Sequence, residues 1–149
     1  MNSIFDTAKP YADLVGRVLI AALFLLSGWG KIGAYAGTQA YMQHAGVPGG
    51  LLPLVILLEL GGGLAIVIGL YTRPVALLMA GFSIVAALLF HADAADQVQQ
   101  IMFLKNLGLA GGFMFLVANG AGRLSVDAKL RPSKLHPSGE SSAGSYKET

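Results

Sequence analysis

Four long apolar runs, separated by charges and helix breakers, decide what this chain can fold into. The first extends from about Leu14 to Trp29, the second from Leu51 to Tyr71, the third from Pro74 to Phe90 and the fourth from about Ile101 to Val117. A helix needs ~20 residues to cross the hydrocarbon of a bilayer, with ~17 as a lower limit. The second and third runs meet that requirement directly, and the first and fourth meet it with flanking residues. None alternates with a period of two, and apolar residues surround the whole circumference of each. That is the pattern of spans facing lipid on one side and protein on the other. The fold class is therefore read as all-α, an integral membrane four-helix bundle, and not a barrel. The first run contains Val18 to Leu26, as a signal peptide would, but it lacks a small-x-small cleavage site and a strongly basic leader, so it counts as a helix.

Composition supports this reading. Hydrophobic residues make up 54% of the 149 and charged residues only 12%, against roughly 25% charged in an ordinary soluble domain. The length allows one domain and leaves no room for a soluble catalytic module beside the spans. The net charge of +2 is too small to suggest nucleic acid. With no cysteine, disulfides, thiol redox chemistry, iron–sulfur clusters and covalently attached haem are excluded in this chain, so any redox role must borrow its electron carrier.

The spans divide the chain into an N-terminal segment (1–13), a four-helix domain (14–118) and a polar tail (119–149), the last rich in Ser, Gly and Pro from Pro132 and expected to be disordered. Lys9, Arg73, Arg123, Lys129, Arg131 and Lys134 fall on one side of a four-span bundle, while Lys31, Asp93 and Asp96 fall on the other. The positive-inside rule then places both termini in the cytoplasm. The first outward loop, from Gly30 to Gly50, holds a short helix that Thr38 would cap over Gln39 to Ala45 and that Gly46 and Pro48 would stop, lying on the outer interface. Small residues at four-residue spacing, Gly61, Ala65 and Gly69 in the second span and Gly108 and Gly112 in the fourth, predict close helix packing.

The informative residues are the ionisable ones that a membrane should exclude. A charge near the centre of a span costs roughly 2.5–3.5 kcal/mol on the insertion scale and is kept only with a partner or a use. Glu59 sits ~12 Å below the outer end of the second span at ~1.5 Å per residue, and Lys105, with Asn106 beside it, ~6 Å below the outer end of the fourth. Lys31 and His91 fall at the outer ends of the first and third spans, so polar groups converge on one outer-half region. Arg17 lies about 21 Å before Lys31 on nearly the same face, and it either snorkels to the cytoplasm or reaches toward Glu59.

Two readings of Glu59 stand side by side. One is a buried ion pair with Arg17, Lys31 or Lys105 that fixes helix register, and the depths favour Arg17 or Lys105 as the partner. The other is a polar cavity that binds a small anion or moves a proton; basic groups outnumber acidic ones there, which favours an anionic guest. His91 most simply caps or snorkels, and His44 with His91 would be a weak signal for haem. The residues offer no metal site.

Arg17 early in the first span, "FLLSGWGKIGAY" at its end, "HAGVP" before the second, "LLELGGGLAIVIGLYTRPVALLMA" and the late Lys105 together resemble the DoxX family of small four-helix membrane proteins, over about residues 14 to 118. The resemblance implies that Arg17, Gly28, Lys31, Glu59, Gly62 and Arg73 are shared positions, without assigning them chemistry. It also implies a redox setting, since family members are associated with a thiosulfate:quinone oxidoreductase and with complexes that handle oxidative or thiol stress. The leading expectation is a subunit of a membrane redox system with quinone or a small sulfur anion as guest. Its partners would be the lipid bilayer, a soluble or membrane oxidoreductase subunit, or a second copy of the chain. The alternatives are a small-solute or proton permeation protein and a non-catalytic scaffold for a soluble oxidoreductase.

Overall fold

The computed structural model describes residues 2–93 and 95–130. The tail beyond 130, expected to be disordered, lies outside the described residues. Helix α1 spans Asn2–Gly33, α2 Tyr35–His44, α3 Gly49–Ile68, α4 Thr72–Phe90, α5 Gln97–Asn119 and α6 Val126–Leu130. Helices α1, α3, α4 and α5 are each long and apolar enough to cross a membrane. The expected all-α chain with four spans is what forms. One end of the bundle carries the α1–α3 and α4–α5 connections and is called here the hairpin end; the other carries the α3–α4 turn and residues 120–130.

Helices α1, α4 and α5 are longer than their apolar runs. Helix α1 has 32 residues and contains Pro10, giving it a length of ~48 Å against a hydrocarbon thickness of ~30 Å. Lys31, placed by the sequence at the outer end of the first span, therefore lies within the last turn of a continuous helix. Helix α2 starts after a single break at Ala34 and needs no Thr38 cap: Thr38 sits inside the helix, and its hydroxyl donates to Ala34 O at 2.9 Å. Gly46, at φ 76°, turns the chain away after the helix, as the sequence suggested. At α5, the Asp96 carboxylate accepts from Val98 N and Gln99 N and so satisfies two orphaned donors of the first turn.

Ala21 and Phe24 of α1, Ile66 of α3, Ala76 and Met79 of α4 and Phe113 of α5 meet in the core. Phe24 lies at its centre, with ring centroids 5.4 Å from Phe113 and 6.4 Å from Phe82. The large apolar residues left outside, such as Leu19, Leu26, Leu57 and Phe115, are what lipid would cover. Close packing follows the small-residue stripes read from the sequence only in part: Gly69 and Gly112 press against neighbours, whereas Gly61 and Gly108 do not. A side chain on Gly61 would meet only Leu57 of its own helix, at 3.9 Å, and one on Gly108 would meet nothing within 4 Å. A Cβ would come within 2.9 Å of Leu60 at Gly28, 2.7 Å of Met79 at Gly62, 2.9 Å of Leu25 at Gly63 and 2.9 Å of Ile20 at Gly112, so these are among the positions where neighbours press closely. Spacing by four marked small residues correctly but could not tell which face meets a neighbour.

Candidate functional site

The middle of α3 is not a regular α-helix. Residues Leu58–Gly62 form a π-turn between Leu52–Leu57 and Gly63–Ile68, and Glu59 sits in it, buried. The sequence carries a reason: Gly61, Gly62 and Gly63 follow one another, and glycine has a low propensity for the regular helix. Single π-turns inside α-helices recur at functional sites.

Glu59 is paired with Lys31, and the sequence-based preference for Arg17 or Lys105 is corrected here. Lys31 Nζ lies 2.8 Å from both carboxylate oxygens and 2.6 Å from Ser27 Oγ, and Ser27 Oγ donates to Glu59 Oε1 at 3.2 Å. Ser27 and Lys31 are one turn apart on α1, so they share a face. Gly28 lies between them, its missing side chain directly against Glu59 Cβ and Leu60, and this is what lets α1 approach the π-turn closely enough for the pair to close. Ser27 was not among the residues singled out in the sequence; its position four before Lys31 is the signal that could have found it.

A cavity of about 340 Å³ opens beside this pair at the hairpin end. Leu23, Phe24, Phe82 and Leu89 are among its apolar walls, and Lys105, Asn106 and His91 also line it. Helix α2 contributes Tyr41 and Met42. The Tyr41 ring stacks on Phe90 with centroids 5.5 Å apart, and Gln39 Nε2 donates to Gly49 O at 3.1 Å, so α2 is fastened to both α3 and α4. Lys105 is exposed at the rim, where its Nζ touches Met102 Sδ at 3.1 Å. Asn106 is buried, and its Nδ2 donates to Met102 O at 3.0 Å. His91 ends α4, and its Nδ1 is 2.7 Å from Gln99 Oε1. The structure thus brings Lys31, Glu59, Lys105, Asn106 and His91 around one space.

Arg17 is not part of it. It is fully buried near the opposite end, where Nη1 donates to Ile66 O at 3.1 Å and Val67 O at 2.7 Å and Nη2 donates to Leu124 O. It neither snorkels nor reaches Glu59: it closes the C-terminal end of α3, where a cation is favoured by the helix dipole, and ties on the segment after α5. Asp13 and Asp127 supply the neighbouring negative charge. Residues 119–130, grouped with the tail in the sequence reading, fold over this end. The Asp127 carboxylate accepts from Tyr71 N at 2.8 Å and Thr72 N at 2.9 Å, capping α4 from a distant part of the chain, and Asp127 N donates to Gly69 O. Gly69 and Tyr71 both adopt positive φ in this turn, and a side chain on Gly69 would meet Arg17 Nη1 and Ser125 Cβ at 2.5 Å. Asp127→Ala should therefore destabilise the protein by ~1–2 kcal/mol, as loss of a helix cap does. Thermal melting of the detergent-solubilised protein measures this, and Asp93→Ala, in the opposite connection, is the control expected to change little.

Four apolar spans, a core shared by all of them and a buried charge pair beside an internal cavity define the class: a small multi-pass membrane protein with a polar site inside the bundle. The DoxX family model matches residues 12–92, more than half of the chain, and this protein belongs to the DoxX family. It is 55% identical over 117 residues to the inner membrane protein YqjF of Escherichia coli, covering 78% of this chain and 90% of that one. It is 31% identical over 133 residues to the inner membrane protein YphA of the same organism, covering 84% and 94%. No solved structure matches. With four spans and these relatives, the chain is a multi-pass protein of the inner membrane. Arg17, Lys31 and Glu59 fall within the family match, whereas Lys105 and Asn106 lie beyond its end.

Proposed function

We propose that this chain is a membrane subunit of a redox system and that its hairpin-end cavity receives the head group of a quinone. The observation that carries the reading is the make-up of the cavity: mostly apolar walls with a few polar groups, Ser27, Lys31 and Glu59 together, Lys105 and Asn106 on α5, and Thr38 and His91 besides. Its volume falls within the ~300–1,000 Å³ of small-molecule sites. A quinone head is a flat apolar ring with two oxygens that accept hydrogen bonds, and it reaches such a site from lipid. The charge balance favours it over a small sulfur anion. Glu59 neutralises Lys31 and Arg17 lies at the other end, which leaves Lys105, among the described residues, as the main cation of the cavity without an ion-pair partner.

Titrating the purified protein in lipid nanodiscs with ubiquinone-1 in a calorimeter tests this. Saturable binding that Ala86→Trp abolishes by filling the cavity is the expected result. Partitioning that does not saturate and is equal in the variant would overturn it. Solute flux into liposomes without a redox pair would favour the permeation alternative.

The same proposal includes an orientation. Lys9, Arg73, Arg123 and Lys129 gather at the end opposite the cavity, so both chain ends face the cytoplasm, the cavity lies in the outer half and α2 lies along the outer interface. Reporter fusions after Val47 and after Asp96 should report the outside, and fusions after Thr72 and after Leu130 the cytoplasm. A cytoplasmic signal from either of the first two would contradict this orientation.

A further inference from the structure

Lys31, Ser27 and Glu59 satisfy one another: the lysine ammonium makes bonds to three oxygens, and the carboxylate accepts from two side chains. The three ammonium donors of Lys31 and the hydroxyl proton of Ser27 are spent within the triad. On α5, by contrast, two groups lining the same cavity keep unspent capacity. Among the described residues, Lys105 Nζ makes one hydrogen bond, to Met102 Sδ, a weak acceptor that leaves its other donors available.

Asn106 Nδ2 gives one of its two protons to the carbonyl of Met102, and this fixes which way the amide faces. A reversed amide would set Oδ1 against the carbonyl oxygen, two acceptors with no proton between them. Oδ1 is thus the atom of Asn106 that no donor among the described residues reaches. Both bonds end on Met102, so a cationic donor and a neutral acceptor are held within one turn of α5, at the rim and wall of one cavity.

Resting on the quinone reading above, we infer that Lys105 and Asn106 distinguish the two oxidation states of the guest, and that the cavity binds the quinol in preference to the quinone. A quinol hydroxyl both donates and accepts, so it can give its proton to Asn106 Oδ1, while Lys105 Nζ can donate to an oxygen of either oxidation state. A quinone carbonyl only accepts; it suits Lys105 but leaves Oδ1 facing another acceptor. A site whose acceptor expects a hydroxyl penalises the analogue that lacks one. The expected preference is about tenfold or more. For a two-electron couple, tenfold tighter binding of the reduced form raises the bound couple's midpoint potential by ~30 mV. The site therefore suits the product of a reaction that reduces quinone and places this chain where the electrons of an oxidised donor arrive.

The test compares the affinities of ubiquinol-1 and ubiquinone-1 for the protein in nanodiscs, measured anaerobically. The wild-type ratio is decisive by itself, so the inference does not depend on a variant that folds. Asn106→Leu should bring quinol affinity down to the quinone level while leaving quinone affinity within about twofold, and Lys105→Met should weaken both forms together. Equal affinities in the wild type, or a preference that survives Asn106→Leu, would overturn the inference and leave the quinone site standing. Absence of saturable binding by either form would overturn both.

Discussion

Arg17→Ala is expected to remove most of the folded protein. The guanidinium is fully buried and serves carbonyls from two separate segments, Ile66 and Val67 at the end of α3 and Leu124 beyond α5. Without it these carbonyls lose a charged donor, and each buried polar group left without a partner costs ~1–3 kcal/mol. A combined loss of roughly 3–5 kcal/mol is a large share of the ~5–15 kcal/mol that holds an ordinary domain together. Arg17→Lys should recover only part, since a single ammonium cannot span positions that the planar guanidinium reaches with separate nitrogens. Fluorescence-detected size exclusion after heating measures both variants. Wild-type melting of Arg17→Ala would show that residues 120–130 hold that end without it.

Glu59→Gln should be nearly as damaging, and neutralising Lys31 should rescue it. The substitution leaves Lys31 without its counter-charge inside the bundle, at a cost of roughly 3 kcal/mol, the lower end for a buried pair because Lys31 is partly exposed. Lys31→Met in the Glu59→Gln background removes the orphaned charge and should restore part of the melting temperature. Lys105→Met and Arg17→Met in that background should give only additive losses, since neither side chain touches Glu59. Rescue by Lys105→Met instead of Lys31→Met would mean that the pair closes differently in the membrane. The double variant also separates two roles. If stability returns but quinone affinity does not, the pair serves the cavity as well as the fold.

The architecture was legible because a bilayer imposes lengths: the four apolar runs gave the number and type of spans, and their charges gave the two ends. The charge pairing was not legible, for a geometric reason. Counting depths put Lys31 at the outer end of the first span and Glu59 ~12 Å below the outer end of the second, which favoured other partners, whereas Lys31, in the last turn of an α1 that runs to Gly33, reaches Glu59 directly. The π-turn at Leu58–Gly62 also escaped, although Glu59 followed by consecutive glycines was its visible trace. The role of Arg17 depended on Leu124 and on the segment carrying Asp127, which composition alone grouped with a polar tail. Hydropathy reports which residues shun water but not which backbone carbonyl a buried cation will find.

Photolabelling the protein in nanodiscs with an azido-ubiquinone, and mapping the adducts by mass spectrometry, shows whether the hairpin-end cavity receives a quinone head. Labels are expected on cavity residues such as Phe82, Leu89 and Asn106, displaced by excess ubiquinone-1 and absent in Ala86→Trp. Labels confined to outward-facing residues such as Leu26, Trp29 and Phe115, undiminished by competitor, would contradict it.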